Sequence, residues 1–395
     1  MSASINEIEA ENDRFHRVNL VWERDRLKNA RVVVIGAGAL GNEIIKNLAL
    51  LGVGNVFVAD SDKIENSNLS RTVLYREVDI GKSKAETAAV RAKEIYPEMN
   101  VHYFDGNILY DLGVGVYRWA NVVIGGLDNR EARLSINRNC WKIGRPWVNG
   151  GIEAIDGVVN IFDPTVHPHG PCYECTLTSV ARKLLRERKS CNGLTREEML
   201  AGKIPTTSTI SSIIAGIQCQ EAVKLLHNNE TIAGKGFYFR GITCDSYLRS
   251  YTPAVECISH DSAQEIISLS GHSNAMTVKE LQALAAEKLG EGTQLEFGQE
   301  ILEKFICSFC KREEEVFSPL GKVFVSQGIC PDCGNERMVK TFYTVGNDVE
   351  FGNKTLAQIG VPQFDIVWAR NWATLIGFEF SGDAPGVLGS LHFQE

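Results

Sequence analysis

Residues 31–60 read RVVVIGAGALGNEIIKNLALLGVGNVFVAD. Arg31 to Ile35 is a continuous β-branched run, the composition of a parallel strand covered on both faces. A G-x-G-x-x-G turn follows at Gly36, Gly38 and Gly41, then a helix through Leu51 and a second strand, NVFVAD, ending at Asp60. In such a βαβ unit the amides of the glycine turn and the helix N-terminus can receive a phosphate. Asp60, at the end of the second strand, can accept hydrogen bonds from ribose hydroxyls. A tight glycine turn packed on a sheet is the plain alternative, but the position directly after a hydrophobic strand favours nucleotide binding. The geometry suits NAD and ATP equally.

Working outward, the alternation continues. A helix is expected over about 82–95, a strand near 101–104, a strand at NVVIGGLD, a helix over 129–142, and strands at 146–150 and 157–162. The fold class is therefore α/β, a doubly wound Rossmann-like sheet filling the first half. Residues 8–29 carry Phe15, Val18 and Trp22 at helical spacing, predicting a helix before the first strand. The stretch 179–205 is polar and reads as a crossing segment. A helix starts behind Thr206/Ser208 and runs to about Leu226, with a strand near 236–240 after it. From about residue 265 the character changes. We divide the chain into residues 1–265 (arginine-bearing helix 8–29, crossover 176–207) and a small α+β C-terminal lobe, 266–395.

The chain has 395 residues, 44% of them hydrophobic, and a net charge of −8. It can bury a sizeable core but carries no general basic field for nucleic acid or an anionic membrane. The polar N-terminus and the lack of a long apolar run predict a soluble, cytoplasmic protein. Six of the eleven cysteines fall in C-x-x-C pairs, which in a reducing compartment points to metal rather than disulfides.

The residues after Asp60 separate the two nucleotides. In DSDKIENSNLSR, residues 60–71, and IGKSKAE, residues 80–86, Asn68, Arg71 and Lys84 supply an amide donor, a forked guanidinium and a point charge, the groups that read phosphate. Here the sequence resembles the family of MoeB, ThiF, HesA and the ubiquitin-activating enzymes, whose loop reads D-x-D-x-x-x-x-S-N-L-x-R. The resemblance covers roughly residues 12–260. It implies that Gly36, Gly38, Gly41, Asp60 and Asp62 surround ATP, with Asp60 on the ribose, and that Asn68, Arg71 and Lys84 hold the triphosphate. Asp128, beside Asn129 in GLDNREAR, would bind Mg²⁺ near the departing pyrophosphate. Arg14 and Arg17 of RFHR match the family's R-Y-x-R, where an arginine reaches into the partner's ATP site, so the resemblance implies a homodimer.

Cys172 and Cys175 in PCYEC resemble the family's structural zinc pair. Cys257 and His260, at the same spacing in ECISHD, would complete a Cys₃His site, although a later C-x-x-C unit could pair with them instead. Cys307, Cys310, Cys330 and Cys333, two C-x-x-C pairs nineteen residues apart, predict a second zinc site in a ribbon over 301–345. Cys140, Cys219 and Cys244 lie in helix or strand patterns and read as core. Cys191, in RERKSCNGLT, follows Arg186, Arg188 and Lys189, and nearby positive charge favours the nucleophilic thiolate. In activating enzymes the catalytic cysteine occupies this crossover, although C-N-G-L departs from their motif. Residues 346–371 look like the closing strands of a ubiquitin-like fold, which would extend over 346–395. Such a domain recruits a conjugating enzyme in activating enzymes.

The expectation is adenylation of the C-terminal glycine of a ubiquitin-like or sulfur-carrier protein with ATP, Mg²⁺ and two Zn²⁺. A thioester on Cys191 and transfer to a conjugating enzyme would follow. The same-family alternative lacks the thioester; a nucleotide-binding scaffold and a dehydrogenase are the readings from other classes.

Overall fold

The computed structural model describes residues 13–182, 205–347 and 349–392. Its first half is built on an eight-stranded sheet: β1 (Arg31–Ile35), β2 (Asn55–Asp60), β3 (Asn100–Asp105), β4 (Val122–Gly125), β5 (Trp147–Glu153), β6 (Asp156–Phe162), β7 (Lys235–Arg240) and β8 (Asp245–Ser250). The order is β3-β2-β1-β4-β5-β6-β7-β8, parallel from β3 to β5 and antiparallel beyond. The expected mixed α/β class is what the structure shows.

Strand alternation sends successive side chains to opposite faces. On one face Val32, Val34, Val56, Val58, Val122 and Ile124 meet three helices: α3 (Ala39–Leu51), α4 (Lys84–Ile95) and α8 (Ser208–Leu226). On the other, Val33, Ile35, Phe57, Ala59, Val123 and Trp147 meet α5 (Gly115–Trp119) and α6 (Arg130–Lys142). That second face is finished by residues from far along the chain, Phe364, Ala384, Leu388 and Leu391.

The single N-terminal helix expected over 8–29 is instead two short pieces among the described residues, α1 (His16–Asn19) and α2 (Arg24–Asn29). Glu23 between them is extended, and its N–H donates to His227 Nε2 at 3.0 Å while Trp22 lies against the His227 ring. This anchor takes a backbone donor that a continuous helix would need. The short α7 (Tyr173–Thr176) carries the first C-x-x-C pair.

The C-terminal lobe holds a six-stranded sheet of β9 (Glu265–Leu269), β10 (Gln294–Ile306), β11 (Glu313–Pro319), β12 (Met338–Val345), β13 (Ile366–Asn371) and β14 (Thr374–Phe380). β9 pairs parallel with β14, and α9 (Val278–Leu289), opened by a Thr277/Glu280 capping box, packs on the sheet through Val278, Leu281 and Ala285. The ribbon strands β11 and β12 both pair with β10, so the ribbon is continuous with the lobe's sheet. Of the closing strands expected over 346–371, none precedes Leu356 among the described residues: β12 ends at Val345. The turn at Leu356–Val361 and the strand after it are present, Gly360 adopting φ +94°.

The two lobes meet along residues 110–119. Asp365 Oδ1 accepts from Val114 N–H at 2.8 Å, Phe364 O accepts from Gly115 N–H at 2.9 Å, and Arg118 pairs with Glu379. The short helix α10 (Ala384–Leu388) then leads the chain back over the first sheet.

Candidate functional site

β1 delivers the glycine turn to the C-terminal edge of the parallel strands, where ligands collect in open α/β sheets. Gly36 has φ +92°, and a Cβ there would lie 2.7 Å from Gly126 O; a Cβ on Gly41 would overlap Gly36 O at 1.9 Å. These two glycines close the turn. Gly38 is different: a Cβ on it meets nothing within 4 Å, and α3 opens there without a side-chain cap. The open position beside uncapped helical amides is where a phosphate would approach.

Asp60 Oδ2 accepts from Ala37 N–H at 2.7 Å and Oδ1 from Asp62 N–H at 2.8 Å. Burial pushes its carboxyl above the ordinary range. Asn42 and Tyr75 brace the same turn: Asn42 Nδ2 donates to Ala37 O at 2.6 Å, and the Tyr75 hydroxyl lies 2.7 Å from Ala37 O. Neither residue stood out in the sequence, although Asn42 directly follows the last motif glycine.

The loop after β2 carries the expected phosphate-reading groups. Asn68 is buried, its Oδ1 capping Glu65 N–H at 2.9 Å. Arg71 donates to Ser67 O at 2.5 Å, and Lys84 pairs with the exposed Asp62 at 2.7 Å. Asp128 is exposed on the loop beyond β4, and Asn129 caps α6 by accepting from Ala132 N–H at 2.8 Å. That loop is contiguous with the glycine turn, because Gly126 abuts Gly36. Asp128 forms no ion pair among the described residues. Arg14 donates to Ile95 O at 2.9 Å and Arg17 is exposed. Cys191, with Arg186, Arg188 and Lys189, lies outside the described residues.

Beyond α6 the face of β5–β7 carries a polar ladder. Asn149 donates to Asn160 at 3.1 Å, Asn160 to the Tyr251 hydroxyl at 3.4 Å, and that hydroxyl lies 2.5 Å from Tyr238's. Gly236 makes room for this ladder, since a Cβ there would lie 2.7 Å from both Asn160 Nδ2 and the Tyr251 hydroxyl. At its inner end Asn149 Oδ1 is buried with no hydrogen-bond partner among the described residues, as is Gln218 Oε1, which sits behind Gly150. At its outer end Tyr238 stacks flat on Tyr247 with centroids 5.1 Å apart.

The cysteines gather into two clusters. Cys172 Sγ lies 3.7 Å from Cys175 Sγ and 3.5 Å from Cys257 Sγ, and Cys175 Sγ lies 3.5 Å from His260 Nε2. In the ribbon Cys307 and Cys333 are 3.5 Å apart, and Cys310 and Cys330 3.6 Å. Within each cluster all four ligand atoms lie within 4.8 Å of one another. A tetrahedral zinc with Zn–S of about 2.3 Å separates its ligands by about 3.8 Å, so both sets fit zinc. The pairing of Cys172 and Cys175 with Cys257 and His260 rather than with the ribbon follows from these distances. Trp141 stacks on the His260 ring at 4.6 Å, and Glu174, bonded to Ser259 and Arg138, joins the two knuckles. Cys140 and Cys219 are buried as expected. Cys244 is not core: it is exposed in the β7–β8 turn with φ +54°, because the strand ends at Arg240.

The ThiF family model matches residues 11–257. The chain belongs to the ThiF family. Among ThiF-family relatives, the sulfur carrier protein adenylyltransferase of Thermus thermophilus is 37% identical over 170 residues, 41% of this chain and 63% of the relative. The match therefore spans just under two thirds of that protein. The SAMP-activating enzyme E1 of Haloferax volcanii is 32% identical over 239 residues, 58% of this chain and 80% of its own length. The NEDD8-activating enzyme E1 catalytic subunit of Schizosaccharomyces pombe is 36% identical over 161 residues, 40% of this chain and 35% of the subunit. Among solved structures, E. coli MccB with ATP superposes with a TM-score of 0.51 at 23% identity, covering 63% of this chain and 74% of MccB. That likeness is one of fold. Among the described residues no helix is long and apolar enough to cross a membrane.

Proposed function

We propose that this ThiF-family protein adenylates the C-terminal glycine carboxylate of a ubiquitin-like or sulfur-carrier protein. The observation that carries the reading is the single edge that presents an open Gly38, Asp60, Asn68, Arg71, Lys84 and Asp128 together. The carboxylate attacks the α-phosphorus of ATP, the bond to the bridging oxygen breaks, and pyrophosphate leaves. Two anions must approach, so Arg71 and Lys84, freed from Ser67 and Asp62, stabilise the charge that develops. Mg²⁺ at Asp128 would neutralise the departing pyrophosphate. The polar ladder of Asn149, Asn160 and Tyr251 offers hydrogen-bonding groups to an extended tail that ends at the nucleotide. The names of the Thermus and Haloferax relatives point the same way.

Arg14 and Arg17 would complete the ATP site of a second copy in a closed homodimer, and Cys191 would take the acyl group as a thioester for a conjugating enzyme docked on residues 265–395. Both zinc ions are structural in this reading. ATP–pyrophosphate exchange that depends on a carrier protein tests the first step; exchange without a carrier, or none with any, counts against it. Non-reducing mass spectrometry of wild type and Cys191→Ala, after incubation with ATP·Mg²⁺ and a candidate carrier, tests the second. A thiol-sensitive adduct lost only in the variant supports the thioester. Adenylate without an adduct in either supports the sulfur-carrier reading, which the Thermus relative favours.

A further inference from the structure

We infer that Arg133 is the residue that receives the carboxylate to be activated, an assignment that rests on the adenylation reading above. Arg133 stands in the first turn of α6, four residues past its N-cap Asn129. A cation there opposes the partial positive charge of the helix N-terminus. No carboxylate among the described residues forms an ion pair with it, although Glu131 stands in the same turn. Its guanidinium is held by two backbone carbonyls: one Nη donates to Leu127 O and to Gly150 O, the latter at 3.0 Å. Its Nε is buried with no partner among the described residues. Its second terminal nitrogen makes no hydrogen bond among the described residues, so this half-buried cation, set against the helix field, keeps a donor for an anion.

The surroundings say which anion. Leu127 is the residue before Asp128, and its side chain lies against Gly36, so Arg133 sits directly behind the loop shared by the pyrophosphate end of the site and the glycine turn. On the other side Gly151 faces Arg133: a Cβ there would lie 3.7 Å from one terminal nitrogen and 4.0 Å from the other. Gly151 shares its face of β5 with Asn149, so the guanidinium lies beside a glycine next to the polar ladder of Asn149 and Asn160. A chain terminus advancing over that face meets Arg133 before it meets the α-phosphate. The terminal nitrogen left without a partner can donate to a carboxylate, and charge-assisted hydrogen bonds of this kind discriminate strongly. Neutralising the incoming carboxylate lets it approach the triphosphate, and the guanidinium keeps contact while the carboxylate oxygen bonds to phosphorus and pyrophosphate leaves. An alternative anion is the α-phosphate itself.

The test uses the full-length protein and two synthetic heptapeptides ending in Gly-Gly, one a free acid and one a C-terminal amide. Binding is measured by calorimetry with a non-hydrolysable ATP analogue present, and ATP–pyrophosphate exchange is measured with the acid. Wild type is expected to prefer the acid over the amide by on the order of 10- to 100-fold. Arg133→Gln should erase that preference while leaving the dissociation constant for the ATP analogue within about twofold; Arg133→Lys should retain part of it. A Gln variant that keeps the full preference overturns the assignment. A Gln variant that loses ATP affinity and the acid preference together moves Arg133 to the α-phosphate or to holding the Leu127 loop, and equally overturns it. If the wild type neither distinguishes acid from amide nor exchanges pyrophosphate with the acid or with any carrier protein, the adenylation reading itself has failed; exchange in wild type combined with an unchanged Arg133→Gln variant sinks the Arg133 assignment alone.

Discussion

The three glycines of the β1–α3 turn should respond differently to the same added methyl group. Gly36→Ala places a Cβ 2.7 Å from Gly126 O on a residue at φ +92°. The left-handed backbone costs roughly 1–2 kcal/mol for a residue with a side chain, and overpacking adds typically 1–3 kcal/mol, so a loss of about 2–5 kcal/mol is expected. Gly41→Ala keeps an ordinary helical backbone, but its Cβ falls 1.9 Å from Gly36 O, an overlap that can be relieved only by opening the turn. Gly38→Ala meets nothing within 4 Å and should leave stability within about 0.5 kcal/mol. It should nevertheless weaken ATP binding tenfold or more, because the methyl occupies the space a phosphate would use. Thermal denaturation without ligand separates the first two from the third, at no more than a few degrees per kcal/mol in a chain of this size. Calorimetric titration with ATP analogue then measures the third. The reasoning is refuted if Gly38→Ala melts as early as Gly41→Ala, or if it binds nucleotide like the wild type.

Asp365, buried in the seam between the lobes, has its carboxyl pushed up to about 6 by desolvation. A raised folded value means that stability is full below pH 4 and falls as pH rises through about 6, a swing of about 3 kcal/mol at 1.36 kcal/mol per unit. Asp365→Asn, which can still accept from Val114 N–H, should therefore raise the melting temperature at pH 7.5 and change it little at pH 4; an equal shift at both would contradict the origin in burial. Metal analysis should return two zinc ions per chain, one lost in Cys175→Ser and another in Cys310→Ser, with the first variant the more destabilised because its site joins α7 to the start of the C-terminal lobe. If the protein forms the proposed homodimer, mixing Arg17→Ala with Asp128→Asn should restore about one working site per heterodimer, read as carrier-dependent exchange above that of either variant alone.

The parallel core of the first sheet was readable because β1, β2 and β4 are short β-branched runs and because the glycine motif fixes where a strand becomes a helix, whereas β8, DSYLRS, has no such run and was not expected. The phosphate-reading groups were legible as a local pattern, DSDKIENSNLSR. Arg133, Asn42, Tyr75 and Gln218 were not, since each matters through a contact made across sequence distance: Arg133 with Gly150, Tyr75 with Ala37, Gln218 with Gly125 at 2.8 Å. The Cys257–His260 pair was found by spacing, but its partnership with Cys172 and Cys175 became decidable only from distances. Residues 8–29 misled because a periodic apolar stripe does not show that Trp22 and Glu23 turn aside to His227. The stretch of 346–371 before Leu356 misled because Val349 and Phe351 alternate with charged and small residues as a strand would, yet no strand forms there among the described residues.

The packing of Ala384, Leu388 and Leu391 on the first sheet, with Leu391 and its neighbours against β2 and β3, bears on how the protein can be made. A nascent chain emerges at roughly 5–20 residues per second. Val33, Ile35, Phe57 and Trp147 are all synthesised early, yet the residues that finish their apolar face come hundreds of positions later. For some tens of seconds the growing first lobe presents an apolar sheet face covered only in part by α5 and α6, a surface open to holdase chaperones. Excising the family-matched segment at residue 257 would make that exposure permanent, so such a fragment should bind a hydrophobic dye and aggregate even with its nucleotide edge intact.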